Sequence, residues 1–187
     1  MGKMVSRIYI LILVVLILFG CSEENTTPTE PQSTDKISDA EYTVLRTIID
    51  SLYYFTTDSQ LVLRDSTTSG LYSYNLDSAL TSTLQYVHDH INTLKAETMQ
   101  DFKFKNLMRT YIQSPLKVHP ACVLSSQAHK GGPSIEISRV GFSADGKQAV
   151  AYVGRMDEPL AGTGCYHVLS QEKGKWIIIG IVMIWIS

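Results

Sequence analysis

Histidine and cysteine are the residue types in this chain best suited to binding a metal ion. His88 and His90 are two residues apart, and on the helix predicted below this separation turns their side chains about 200° away from each other. No cysteine or histidine pair has zinc-ligand spacing, and the sequence contains no aspartate-rich calcium loop. We therefore predict no metal site at any of the histidines, which are His88, His90, His119, His129 and His167.

The sequence also lacks the patterns of the common catalytic sites. No serine lies in a Gly-x-Ser-x-Gly elbow or in a Ser-x-x-Lys motif with its partner motifs. Asp157 and Glu158 lie in a predicted loop, where they are better interpreted as solvated charges than as an acid and a base. Gly162-Thr163-Gly164 lacks the rest of a phosphate-binding loop. We predict no catalytic residue and no cofactor, and an enzyme of unrecognised type stays open as an alternative.

Three residues are candidate ligand contacts: Arg139, Tyr72 and Tyr74. The tyrosines, with the aromatic residues 53–55, could line a groove for a glycan or a peptide, or they could cap the core. Arg139 is a charge inside an apolar β-rich run. It either points inward, paired with an acid such as Asp65, or outward onto a solvated face.

Cys122 and Cys165 are predicted to lie in an oxidising compartment, because the N-terminus has the features of a signal peptide for export. A disulfide between them would close a loop of about 43 residues and would contribute roughly 4 kcal/mol in the chain-entropy model. The alternative is two free thiols that never meet.

The first 20 residues have the three zones of a signal peptide. A cationic start with Lys3 and Arg7 precedes an apolar run, Ile8 to Phe19, that is too short to cross a bilayer as a helix. The next residues, Leu18-Phe19-Gly20-Cys21, resemble the lipobox at which lipoprotein signal peptides are cleaved. We therefore predict a lipoprotein signal peptide at residues 1–20 and a lipidated Cys21, which anchors the chain to the lipid bilayer.

Residues 21–36 are predicted to be the lipidated cysteine and a disordered tether, because they contain prolines and polar residues and no large apolar side chain. Ser22 is not an aspartate, which argues against retention at the inner membrane of a Gram-negative bacterium. The pair Glu23-Glu24 resembles short acidic signals for export to the cell surface, or it is simply solvated linker. We predict an outer-membrane lipoprotein on the periplasmic or the cell-surface face.

Composition and charge limit the class of partner. The chain has 187 residues and a formal net charge of −2; the leader holds two basic residues and no acid, so the mature part carries −4. An acidic domain has no electrostatic footprint for nucleic acid. Residues 37–187 are sufficient for a single domain with its own core.

Helices are predicted in the first half of this domain. Ser38 and Glu41 have the spacing of a capping box, and Ile37 and Tyr42 can flank it as a hydrophobic staple. Apolar residues at helical spacing then predict helices at 39–54 and 77–95, and Thr98 could cap a third through about 107. Leu61 to Asp65 is predicted to be a short strand, and residues 115–133 a long irregular connection.

Four β-rich runs follow, at 134–142, 147–154, 163–171 and 175–186. The short turns between them predict antiparallel neighbours, and a longer loop is predicted at 155–162. The last run is apolar throughout, which predicts a strand covered on both faces. The predicted fold class is α+β, with N-terminal helices packed on one face of a C-terminal, four-stranded or larger antiparallel meander; an NTF2-like fold is our specific hypothesis.

Five segments between Ser138 and the C-terminus carry a resemblance to other sequences: Ser138-Arg139-Val140-Gly141-Phe142, Gln148 to Gly154, Gly162-Thr163-Gly164, Gly174-Lys175-Trp176 and Trp185-Ile186-Ser187. This part of the chain resembles an uncharacterised family of bacterial secreted proteins and lipoproteins. Many members of that family have two cysteines in the loop that matches residues 155–163, where this chain has none, so the resemblance implies no disulfide there. It supports the fold and implies no activity.

These features favour a binding or interaction module of the cell envelope, tethered by lipid, with a protein, peptide or glycan partner. The alternatives are an enzyme with a site in an NTF2-like cavity and a structural envelope component without a ligand.

Overall fold

A computed structural model describes residues 36–53, 61–68, 76–125, 134–158 and 161–187 of the chain. They belong to one compact unit, Ser33–Ser187. The helices are α1 (Asp39–Tyr53), α2 (Leu76–His90), α3 (Ala96–Lys105) and α4 (Pro115–Val118). The strands are β1 (Leu61–Arg64), β2 (Cys122–Ser125), β3 (Ser134–Ile137), β4 (Gly141–Phe142), β5 (Gln148–Glu158), β6 (Ala161–Glu172) and β7 (Lys175–Ile186).

The capping box at the start of α1 is confirmed. The Ser38 backbone N–H donates to the Glu41 carboxylate at 2.9 Å, and the Glu41 backbone N–H donates to Ser38 Oγ at 3.3 Å. Ile37 and Tyr42, the predicted staple residues, are both buried in the same apolar cluster. These contacts satisfy backbone donors that the first turn of a helix leaves without intrahelical partners.

The fold class is α+β, but the sheet is mixed rather than purely antiparallel. Its strand order is β2-β1-β3-β5-β6-β7, and β4 pairs with β5 beside this path. The predicted antiparallel meander is present, because β3, β5, β6 and β7 are antiparallel neighbours in this order. The sheet is larger than the meander: β1, for which no pairing was predicted, runs parallel to both β2 and β3. Parallel pairing is open to β1 because the long chain from it to β2 contains three helices, enough for a crossover.

Helices cover both faces of the sheet, which corrects the prediction of helices on a single face. Apolar residues of α1 pack with Ala149 and Ala151 of β5. Apolar residues of α2 and α3 pack with Val150 and Tyr152 of the same strand. Since successive residues of a strand point to opposite faces, the two clusters lie on opposite sides of the sheet.

Other element boundaries also differ from the prediction. The region predicted to be an irregular connection contains α4 and β2. The run 134–142 divides into β3 and β4, and the loop predicted at 155–162 is largely strand, because β5 extends to Glu158 and β6 begins at Ala161. β2 is only four residues long and stands between prolines and serines, so no periodic signal marked it.

The junction between α2 and α3 is set by a buried glutamine. Helix α2 ends at His90, short of the predicted Lys95. Gln148 accepts a hydrogen bond from the Lys95 backbone N–H and donates one to the carbonyl of Thr93, both at 2.7 Å. Thr98 does not cap α3 as predicted; it is buried, and its hydroxyl donates to the same glutamine at 3.0 Å.

A fully buried ion pair joins α1 to the turn between β3 and β4. Arg139 is 1% exposed, and its guanidinium donates to both carboxylate oxygens of Glu41, at 2.7 and 3.0 Å. The Val140 backbone N–H donates to the same carboxylate at 3.1 Å. Burial alone would raise the pKa of Glu41, but these hydrogen bonds, the bond from Ser38 and the arginine charge outweigh it and hold the pKa below its ordinary value.

Arg139 also fixes the end of α3. Its backbone N–H donates to Asn106 Oδ1 at 2.8 Å, and Asn106 Nδ2 donates back to the Arg139 carbonyl at 3.1 Å. Asn106 is the C-terminal cap of α3 and also donates to the carbonyl of Phe102. Gly141 follows in the chain beneath Phe102, where a Cβ would overlap the Phe102 backbone. The inward alternative for Arg139 is therefore correct, with Glu41 rather than Asp65 as its acid.

We predict that Glu41→Ala lowers the free energy of unfolding by about 3–5 kcal/mol, because it leaves the Arg139 charge buried without its partner. Asp39→Ala, in the same helix turn, is the matched control. Asp39 pairs with Lys117 on an exposed surface, so its loss should cost less than about 1 kcal/mol. Urea unfolding measures both values, and equal losses in the two variants would contradict a special role for Glu41.

Candidate functional site

Several residues predicted to contact a ligand or a lipid lie outside the described residues. These are the lipidated Cys21, the tyrosines Tyr72 and Tyr74, and the aromatic residues at 54 and 55. The third candidate contact, Arg139, is described and buried, and all of its named partners are groups of this chain. Its side chain is inaccessible to a ligand, and its role is structural.

Of the two alternatives stated for Cys122 and Cys165, a disulfide or two free thiols, the structure has the free thiols. Cys122 lies in β2 and Cys165 in β6, with β1, β3 and β5 between them. Four strand spacings of about 4.8 Å separate them by roughly 19 Å, whereas a disulfide needs Cα atoms within about 7 Å. Burial raises the pKa of the Cys122 thiol to about 11, which makes it an inert core residue.

The candidate site is the last strand of the sheet. β7 lies at the edge, and among the described residues no strand pairs with its outer side. The strand was predicted to be covered on both faces, and the structure shows this only in part, because it contacts both apolar clusters and is also widely exposed. Five large apolar side chains are exposed along it: Ile177, Ile179, Ile181, Met183 and Ile186. We call this strand, with those side chains and its unpaired outer backbone, the β7 edge.

Beyond its first residue, the β7 edge lacks three of the features that usually protect an edge strand from pairing, which are shortness, proline and charge. It is 12 residues long, whereas the opposite edge of the sheet, β2, has only four. It carries no proline, and no charged residue follows Lys175. Natural sheets commonly blunt their edges with charges, prolines or short strands, because free N–H and C=O groups invite another strand. A long apolar edge without these features is suited to receiving one.

Two bulges explain why β7 is apolar at nearly every position. The register between β6 and β7 shifts once between Gly164 and Cys165 and again between Val168 and Leu169. Bulges turn a strand and re-aim its side chains. As a result Trp176 and Ile178 pack against the α1 cluster, while Val182 and Ile184 pack against the α2–α3 cluster. β7 therefore serves both cores and still exposes a stripe.

A hydrogen-bonded chain fastens the C-terminal end of the β7 edge. Trp185 Nε1 donates to Tyr152 Oη at 2.9 Å, and this hydroxyl donates to Glu136 at 3.0 Å. The other oxygen of Glu136 accepts from Arg64 at 2.7 Å. These side-chain hydrogen bonds connect four strands of the sheet, which are β7, β5, β3 and β1. Gly164 leaves room for the Trp185 ring, since a Cβ there would overlap it.

His167 lies in β6, next to the β7 edge, and is the unusual residue of this region. It is 1% exposed, and neither ring nitrogen has a hydrogen-bond partner. Burial lowers its pKa from 6.5 to about 4; the nearby Cys165 carbonyl offsets part of this shift without meeting hydrogen-bond geometry. At neutral pH the ring is therefore uncharged. An unpartnered buried ring nitrogen costs folding free energy, so it calls for a physical explanation.

A separate open groove of about 300 Å³ lies beyond the end of α3. Tyr111 and Met108 contribute exposed side chains to it, and Arg109 lies beside them. Lys105, also in its wall, is held by Asp101 at 2.7 Å. Within the described residues this groove brings together no set of acids, bases or nucleophiles.

Two further searches of the described ranges gave negative results. They contain no group of three or more His, Cys, Asp or Glu residues that could hold a metal ion. No helix among them is both long enough and apolar enough to span a bilayer.

Comparison with known proteins gives no relative for this chain: no protein-family model, no curated protein and no solved structure matches it. The NTF2-like hypothesis accordingly has no support, and the resemblance to secreted proteins and lipoproteins stays a prediction.

The β7 edge was not predicted as a site, because the uniformly apolar sequence of Trp176 to Ile186 was interpreted as that of a covered strand.

We predict that stability falls as pH drops from 6.5 toward 4, by up to about 3 kcal/mol. The unfolded chain binds a proton at His167 near pH 6.5, whereas the folded chain binds it only near pH 4, so unfolding takes up a proton between these values. The pKa of Glu41 is lowered from 4.5, so its contribution is lost mainly below that pH.

Urea unfolding at half-unit pH intervals measures this dependence. His167→Gln should remove the fall between pH 6.5 and 5, while His90→Gln, at an exposed position in α2, should leave it in place. A His167→Gln variant with the pH dependence of the unmodified protein would show that another group is responsible.

Proposed function

We propose that this protein is a lipid-anchored envelope lipoprotein whose folded domain binds an extended segment of a protein partner at the β7 edge. The observation that carries this proposal is the β7 strand, which has exposed apolar side chains, no charge after Lys175 and no strand paired with its outer side among the described residues. In this mode the partner adds a strand to the sheet, so that backbone hydrogen bonds provide affinity and side-chain contacts provide selectivity.

The side chains at the edge favour a polypeptide over a glycan. The most exposed ones in the middle of the strand are Ile181, at 56%, and Met183, at 52%. Sugars are commonly bound by stacking on aromatic rings, whereas Trp176 and Trp185 are held against the body of the domain. Branched aliphatic and thioether side chains match the apolar residues of another strand, and methionine adapts its shape to different partners.

The edge is firmly supported from behind, which reduces the cost of binding. β7 pairs with β6 along nearly its whole length, and the Trp185–Tyr152–Glu136 hydrogen bonds hold its end. A surface that is already ordered loses little conformational entropy when a partner arrives. Most of the conformational entropy lost on binding is therefore lost by the partner segment.

Lipidation at Cys21 would place this edge close to the membrane. A stretched tether of the length predicted for residues 21–36 reaches roughly 50 Å, which keeps the domain in the layer where envelope proteins meet. Because tethered proteins meet at high local concentration, a modest affinity is sufficient for function.

Nothing in the described residues favours the enzyme hypothesis. That hypothesis placed Arg139 and a buried acid in a cavity, and these residues form a closed ion pair inside the core.

We predict that a photo-reactive benzoylphenylalanine at position 179 or 181, introduced into the full chain in its native host, gives a covalent adduct with a discrete protein. Matched controls carry the same group at Met108 or Leu116, which are exposed apolar residues away from β7. An added Ile181→Lys change should abolish the adduct formed from position 179, because a charge at the edge opposes pairing. No adduct, or equal adducts from the control positions, would contradict the proposal.

We also predict that the wild-type chain incorporates labelled palmitate and that Cys21→Ala does not. Ser22→Ala, next to it, should retain the label. Protease treatment of intact cells then separates the two faces: cleavage indicates the cell surface, and protection indicates the periplasmic side. Absence of label in the wild type would contradict the lipoprotein prediction.

A further inference from the structure

The unpartnered ring of His167 has two sulfur-containing neighbours on its face of the sheet. Cys165 is two residues earlier in β6, so both side chains point the same way. Met183 is the residue of β7 directly paired with Cys165. A thiol, a thioether and an imidazole are thus placed side by side; the thiol is in no disulfide, and neither ring nitrogen has a hydrogen-bond partner among the described residues.

Strand geometry brings these three groups within reach of one small ion. Residues two apart in a strand lie about 6.5–7 Å apart, and directly paired residues on neighbouring strands lie about 5 Å apart. A metal bound at 2.0–2.3 Å from each ligand atom needs ligand atoms about 3.5 Å apart. Met183 is the ligand best able to close this difference, because methionine is unbranched and flexible.

We propose that Cys165, His167 and Met183 form a site for a single monovalent copper ion, Cu(I). Thiolate and thioether are soft ligands that select Cu(I), and imidazole is a suitable third ligand. The site occurs on this chain independently of the strand-addition proposal, because it rests on the side chains of one sheet face rather than on the free backbone of β7.

The surroundings favour a monovalent ion over a divalent one. The cross-strand neighbours of Cys165 and His167 are Val153 and Ala151 in β5, and the remaining neighbour in β7 is Ile181. None of them is charged. A Cu(I) ion with one thiolate and two neutral ligands has no net charge, whereas Zn(II) with the same ligands would leave one positive charge in an apolar setting, which is costly.

Cu(I) binds cysteine as the thiolate and histidine as the neutral ring. Binding forms a Cu–S bond, breaks the S–H bond and releases one proton to solvent.

An entry route is present at the surface. Met183 is half exposed and Cys165 is partly buried, while His167 is enclosed. An ion would therefore meet the thioether first and pass inward to the thiol and the ring. This order of accessibility, with the least exposed ligand innermost, resembles that of a binding site more than that of a random surface cluster.

The test is anaerobic titration of the full chain in detergent with Cu(I), in competition with a chromogenic Cu(I) chelator. Every sample carries Cys21→Ser, so that Cys122 and Cys165 are the only thiols. We expect one Cu(I) per chain, and X-ray absorption should show one nitrogen and two sulfur ligands. Cys165→Ser, His167→Ala and Met183→Leu should each weaken binding by more than about a hundredfold, because changes beyond the ligands already cost about 10–100-fold.

Two control variants and one conservative substitution distinguish a loss of Cu(I) binding from a loss of folding. Cys122→Ser removes the other thiol, four strands away, and Met108→Leu removes another exposed methionine; both should bind as tightly as the parent. Met183→Leu conserves shape at an exposed position, so folding is not at risk there. The proposal is overturned if the parent binds no Cu(I), if Met183→Leu binds unchanged, or if Cys122→Ser loses binding.

Discussion

The ion pair between Glu41 and Arg139 is the interaction on which the rest of the structure depends. A charge buried to this extent is tolerated only when every polar atom has a partner, and here the partners come from the start of α1, the end of α3 and the turn after β3. The pair therefore fixes helices from opposite faces of the sheet to the same point. Its buried position makes Arg139 a structural residue, and the interacting surface must be found elsewhere.

The exposed edge follows from which strands the helices cover. Helix α1 protects one face of the central strands, and α2 and α3 protect the other. β7 lies at the rim, where its bulges divide its inward residues between the two cores. An apolar stripe is left over, next to a histidine that is buried without a hydrogen bond. In natural sheets such features persist where a partner or a ligand compensates for them.

Local signals were read correctly from the sequence, and pairings over long distances were not. The capping box at Ser38 was predictable because three residues determine it, and the inward side chain of Arg139 was one of two stated alternatives. Its partner was not predictable from the sequence. Glu41 is about a hundred positions away in the chain, and Asp65 offers the same type of carboxylate side chain. The strand at Cys122 was missed because four residues are too few to show a periodic pattern. Without that strand, the distance between Cys122 and Cys165 across the sheet could not be predicted either. β7 was interpreted from composition, which cannot distinguish a central strand from an edge strand that serves two cores.

Amide hydrogen exchange along β7, followed residue by residue by NMR, tests the central claim most directly. In an edge strand, amides that point toward β6 are protected, and those that point outward exchange freely. The account predicts this alternation along β7 in the isolated full chain, interrupted at the two bulges, and loss of the fast-exchanging set when the partner is bound. Uniform protection of β7 in the isolated chain would show that its outer side is already paired, and would contradict the assignment of the β7 edge as the interaction surface.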